Sequence, residues 1–138
     1  MSSVSGQCLC GAVRFTAEKA DPNYIACHCG MCRRWSAGPF LSVSSTGVSF
    51  NGEENIGVYD SSAWAERGFC KNCGSILFYH IKGHDEYALN SGAFEDSSSF
   101  KMAGEIFIDH KPQGYEFAGD HPRLTEAETI EKFSSSGA

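Results

Sequence analysis

Short alternations of apolar and polar residues dominate the chain, and they predict strands rather than helices. From Ala12 to Thr16, Val13 and Phe15 point one way and Arg14 and Thr16 the other. Phe40 to Ser44 repeats the pattern with Leu41 and Val43, and Val48 to Phe50 is a short apolar run after Gly47. Asn51-Gly52 is a strong hairpin signal, because both residues accept positive φ, and Ile56 to Tyr59 follows as the next strand. Ser75 to His80, Tyr87 to Asn90 and Glu105 to Asp109 complete a set of short strands separated by turn residues. The one clear helix start is Thr125-x-x-Glu128, a capping-box pattern ahead of Ile130 and Phe133. Cys29 to Arg34 reads as one helical turn, and Ser134 to Ala138 as a frayed end. The expectation is a mainly β chain with a short C-terminal helix.

At 138 residues and 41% hydrophobic content, the chain builds one modest core. It reads as a single domain over residues 1–138, ordered over about 5–133. Seven cysteines change the picture. They form Cys8-x-Cys10, Cys27-x-Cys29-x-x-Cys32 and Cys70-x-x-Cys73. An odd count in tight knuckles is a poor disulfide framework and a good metal framework. Zinc in a structural site takes four ligands in a closed tetrahedron, whereas a catalytic site keeps one position open. Seven thiols divide into the contiguous Cys27, Cys29 and Cys32 and a closing set of Cys8, Cys10, Cys70 and Cys73. Spacing alone leaves open whether His28, or a distant His80, His84, His110 or His121, completes the trio as a second staple. His28 lies between two ligands, so its ring is expected to point away from the metal, toward the pocket or a ligand-supporting contact.

A net charge of -6 argues against a nucleic-acid surface, which needs a basic face. The start, Met1 to Gln7, is polar and lacks the apolar run of a signal peptide, and no stretch is long enough to span a bilayer. The expectation is a cytoplasmic protein with reduced thiols.

Three blocks carry a resemblance. Gly6-Gln7-Cys8-Leu9-Cys10-Gly11-Ala12-Val13-Arg14-Phe15, Cys27-His28-Cys29-Gly30-Met31-Cys32-Arg33-Arg34 and Phe69-Cys70-Lys71-Asn72-Cys73-Gly74-Ser75 resemble, in order, the glutathione-dependent formaldehyde-activating enzyme (GFA) family. Weaker echoes lie at Asn90 to Asp96 and from Glu105 to Pro122. The resemblance implies a β-tent fold of small β-sheets around a structural four-cysteine zinc held by Cys8, Cys10, Cys70 and Cys73. It also implies a second zinc on Cys27, Cys29 and Cys32, which become the catalytic residues. Members often carry a tryptophan where this chain reads Lys111-Pro112-Gln113-Gly114-Tyr115.

The implied activity is that of a zinc-dependent carbon–sulfur lyase acting on adducts of glutathione, or another thiol, with an aldehyde, such as S-hydroxymethylglutathione. Its partners are a small-molecule thiol, with glutathione as co-substrate, and an aldehyde, with no nucleic acid and no membrane. Oligomeric state stays open between monomer and homodimer. Glutathione carries two carboxylates, so Arg33 and Arg34, and also Lys71, are candidate contacts. Trp35 reads as core or pocket wall. Tyr79, His80 and Glu66 read as structural, and Glu95 and Asp96 as turn-shaping. The competing reading is a non-catalytic, zinc-stabilised binding module. A thiol redox switch on Cys29 and Cys32 is weaker, because it leaves Cys27 without a role.

Overall fold

The computed structural model describes residues 3–135. The chain groups into two compact units, and each draws on two stretches of sequence. One takes the residues up to Pro22 and Ser42–Phe100, and the other takes Asn23–Leu41 and the residues from Lys101 on.

The first unit is a sheet. Strands β1 (Val4–Gln7), β2 (Arg14–Ala20), β4 (Phe40–Asn51), β5 (Ile56–Asp60), β6 (Ala65–Cys70), β7 (Ile76–Ile81) and β8 (Tyr87–Asn90) run in the order β1-β2-β4-β8-β7-β6-β5. Neighbours are antiparallel, with Phe15 opposite Phe50 and Leu89 opposite both Val43 and Phe78. Period-two alternation sends Val13, Phe15, Ala17, Val43, Leu77 and Leu89 inward, where all are essentially inaccessible. The Phe15 ring meets Phe94 edge-on at 5.2 Å and anchors this core.

Two expectations change here. Phe40 to Ser44 and Val48 to Phe50 are one strand, because β4 runs unbroken through Gly47. The chain does turn at Asn51-Gly52, with Gly52 at φ 82. No β4–β5 hairpin follows, however. A short 3-10 turn at Glu53–Asn55 redirects the chain, and β5 pairs with β6.

The second unit pairs β3 (Asn23–Cys27) in parallel with β9 (Lys101–Ile106) and carries helices α1 (Gly30–Ser36) and α2 (Glu126–Ser135). The expected strand at Glu105 to Asp109 begins earlier, at Lys101, and gives way to a 3-10 turn at Ile108–His110. The capping box forms in both directions: Thr125 N–H donates to Glu128 Oε1 at 2.9 Å, and Glu128 N–H to Thr125 Oγ1 at 3.2 Å. Helix α2 buries Thr129 and leaves Ile130 and Phe133 exposed, the reverse of what its apolar residues suggest. Ser134 and Ser135 are helical, and the rest of the expected frayed end, Ser136 to Ala138, lies outside the described residues. Among the described residues no helix is long and apolar enough to cross a membrane.

Candidate metal centres

In the first unit, the loop after β1 and the end of β6 each make a knuckle. Cys8 N–H bonds Val13 C=O and Gly11 N–H bonds Cys8 C=O, while Cys70 N–H bonds Ser75 C=O and Gly74 N–H bonds Cys70 C=O. The turns close on glycines at positive φ, Gly11 at 80° and Gly74 at 79°, where a Cβ would be strained. Leu9 N–H donates to Ser75 Oγ at 2.9 Å and locks one knuckle to the other.

The four sulfurs of Cys8, Cys10, Cys70 and Cys73 all lie within 4.8 Å of one another. Cys8–Cys10 is 3.7 Å and Cys10–Cys70 is 3.9 Å. A zinc tetrahedron with bonds of about 2.3 Å has S···S edges of about 3.8 Å, so this cage has the right size. A disulfide would need about 2.05 Å, and none of the seven cysteines is in a disulfide. Donors already face the sulfurs: Val13 N–H on Cys8 at 3.3 Å and the Asn72 amide on Cys10 at 3.2 Å. Hydrogen bonds from Ser75, side chain first, hold the Cys73 thiol down to about 5. That is the thiolate preference a metal ligand needs.

In the second unit, Cys27 ends β3, Cys29 caps the N-terminus of α1, and Cys32 sits buried in its first turn. Their sulfurs also lie within 4.8 Å of one another. Cys32 N–H donates to Cys29 Sγ at 3.4 Å, the side-chain cap expected of a short polar residue at that position. The crowded thiols divide their protons unequally. Hydrogen bonds from Cys27 and then Cys32 hold the Cys29 thiol down to about 2, while contacts with Cys29 and then Cys32, and burial, push Cys27 up.

Among the described residues no histidine joins the trio. His28 is 1% exposed, and its ring turns to other partners: Nε2 lies 2.8 Å from Glu105 Oε1, and Nδ1 lies 3.1 Å from the Tyr115 hydroxyl. His121 and Arg123 hold the other Glu105 oxygen. His110 pairs with Glu126, and His80 bonds Glu66 and the His84 carbonyl.

A family model described as glutathione-dependent formaldehyde-activating enzyme matches residues 3–110. A Schizosaccharomyces pombe protein named an uncharacterized lyase is 36% identical over 132 residues, covering 94% of this chain and 96% of its own. The chain belongs to the GFA family. A Halomonas elongata protein, provisionally named a glutathione-dependent formaldehyde-activating enzyme, is 29% identical over 85 residues, 54% of each chain. A crystal structure of a Rhodobacter sphaeroides protein shares the fold at a TM-score of 0.57 and 21% identity, covering 86% of this chain and 98% of that one. The chain is thus a mainly β, β-tent-like GFA protein with two cysteine clusters able to hold metal.

Arg33 and Arg34 are exposed, and both guanidinium groups lean back over Gly30, each 3.9 Å from where a Cβ there would stand. Lys71 is exposed in the first unit's Cys70–Cys73 knuckle. Trp35 is half-buried against Phe40 with ring centroids 5.2 Å apart. Tyr79 lies under the Arg67 guanidinium, and Asp96 accepts from Ser98 in a turn.

The sequence marks Glu105 as a strand residue and His121 only as a candidate fourth ligand of the trio, and it does not mark Arg123. The available signal was a glutamate at the head of an apolar strand, EIFID, with two histidines in the following segment. A carboxylate facing a core needs partners. Burial alone would raise the Glu105 carboxyl, but the His121 and His28 hydrogen bonds prevail and hold it below the usual range. Burial and the Glu105 charge push the Tyr115 phenol up, and Arg33 opposes them.

Proposed function

We propose that this protein is a zinc-dependent carbon–sulfur lyase acting on thiol–aldehyde adducts, with S-hydroxymethylglutathione as the simplest substrate. Residues 1–138 act as one functional domain in this reading, and the compartment is the cytoplasm. The observation that carries it is the trio of convergent sulfurs, Cys27, Cys29 and Cys32, a cluster that no histidine, aspartate, glutamate or further cysteine joins among the described residues. The names of the relatives, a lyase and a formaldehyde-activating enzyme, point the same way. Bound at three thiolates, zinc would supply a soft position that takes a fourth sulfur and favours its deprotonated form.

Each residue then has a task. Cys27, Cys29 and Cys32 hold the metal and, by their summed negative charge, favour thiol delivery over strong carbonyl polarisation. The Cys8, Cys10, Cys70 and Cys73 set holds the structural zinc. Arg33 and Arg34, exposed beside the trio, take the carboxylates of glutathione. In the forward direction the thiol sulfur bonds to the carbonyl carbon, and the thiol proton ends on the aldehyde oxygen. In reverse the C–S bond breaks, its electron pair stays on sulfur, and the hydroxyl proton is returned.

The test mixes zinc-loaded protein with glutathione and a panel of aldehydes and follows adduct formation. Turnover above the uncatalysed rate for at least one pair is expected, with KM for glutathione raised several-fold in the Arg33→Ala, Arg34→Ala double variant. No rate above background for any pair contradicts the proposal.

A further inference from the structure

Glu105 is 1% exposed and takes hydrogen bonds from three side chains. His28 Nε2 reaches Oε1 at 2.8 Å, and His121 Nε2 and Arg123 Nε reach Oε2 at 2.6 and 3.0 Å. Burying a carboxylate is costly unless it is saturated in this way. The segment that supplies His121 and Arg123 is itself stitched to β9: Glu105 N–H bonds Pro122 C=O, and Leu124 N–H bonds Glu105 C=O. The carboxylate is therefore fixed in both position and direction.

What it holds is the middle residue of the Cys27-x-Cys29 knuckle. His28 is anchored at the backbone, where its N–H bonds Ile106 C=O at 3.1 Å, and at the ring by Glu105. Cys27 and Cys29 flank a residue pinned twice to β9. We propose that Glu105 is a positioning residue for the trio: through His28 it fixes the knuckle that presents Cys27 and Cys29. This inference rests on the reading of the trio as a metal site.

The ring hydrogen follows from donor counting. An ionised carboxylate only accepts, so His28 Nε2 carries a hydrogen, while Nδ1 faces the Tyr115 hydroxyl at 3.1 Å.

Glu105→Gln would reverse this. A glutamine offers one oxygen and one NH2. Two donors face the Oε2 side and one faces the Oε1 side, so the amide oxygen turns to His121 and Arg123 and the NH2 turns to His28. His28 Nε2 must then accept, and the ring hydrogen sits on Nδ1.

The experiment is long-range 15N–1H NMR of the histidine rings in the zinc-loaded full chain, paired with chelator competition for each metal. The wild type is expected to show His28 with a hydrogen on Nε2, Glu105→Gln with its hydrogen on Nδ1 alone, and Tyr115→Phe the wild-type pattern. Glu105→Gln should weaken the trio's zinc by about 10–100-fold and leave the four-cysteine zinc unchanged. A wild-type His28 with no hydrogen on Nε2 overturns the proposal without any variant. So does a Glu105→Gln protein with unchanged trio affinity. None of these readouts uses turnover, so absence of lyase activity, which would sink the functional reading, is a separate result.

Discussion

The two cysteine clusters use the same side chain to opposite ends. The four-cysteine set draws its sulfurs from knuckles 60 residues apart, such as Cys10 and Cys70, so its own ligands close the long loop. The trio lies within one short stretch, and its long-range anchor is a neighbour: His28 reaches Glu105 across 77 residues. In the proposed reading the first cluster commits its ligands to the fold, and the second, held in shape by a residue that is not a ligand, keeps a coordination position free. A cation's ligands can therefore carry the architecture or the chemistry, and who supplies the long-range contact tells the two apart.

The largest effect that would break this contrast is at the closed cluster. Structural zinc contributes on the order of 10–16 kcal/mol in small peptides, as much as a domain's whole stability. Cys70→Ser is therefore expected to abolish cooperative unfolding by circular dichroism. A sharp thermal transition in that variant would show that the cluster is not the staple. Cys29→Ser should do the reverse: the melt stays cooperative, one metal is lost, and aldehyde turnover falls to background.

The pH dependence sharpens the account of the second unit. The Glu105 carboxyl is lowered in the folded state, so its stabilisation is fully present above the unfolded value of about 4.3 and is lost as pH falls through the lower folded value. Acid unfolding curves should be less steep below about pH 4 for Glu105→Gln than for the wild type. Identical slopes would mean that the carboxylate is not linked to folding.

Much of this contrast was legible in the sequence, because cysteine spacing is local. Three knuckles announced both clusters, and alternation found Val13 and Phe15 and the strand at Tyr87 to Asn90. Pairing was not legible, because it is set by distant partners. Asn51-Gly52 has the chemistry of a hairpin, yet β5 pairs with β6. Strand β1 reads VSGQ and β6 reads AERGFC, too polar to declare themselves, and both are held by neighbours in the sheet. The inward Glu105 left only a faint trace for the same reason: its partners His28, His121 and Arg123 come together only in space.

The smallest expected effect is at the capping box. Thr125→Ala removes one half of a reciprocal pair at the start of α2 and should cost about 1 kcal/mol, a shift of a few degrees in melting temperature. No loss of metal from either cluster should accompany it, which separates helix stability from both sites.

X-ray absorption at the zinc edge, taken on the wild type and on Cys29→Ser, reads the coordination directly. The account predicts two metals in the wild type, one with four sulfurs and one with three sulfurs and an exchangeable donor that becomes sulfur when glutathione is added. In the variant only the four-sulfur metal should remain. A trio already completed by a protein donor, with no change on adding glutathione, would contradict it.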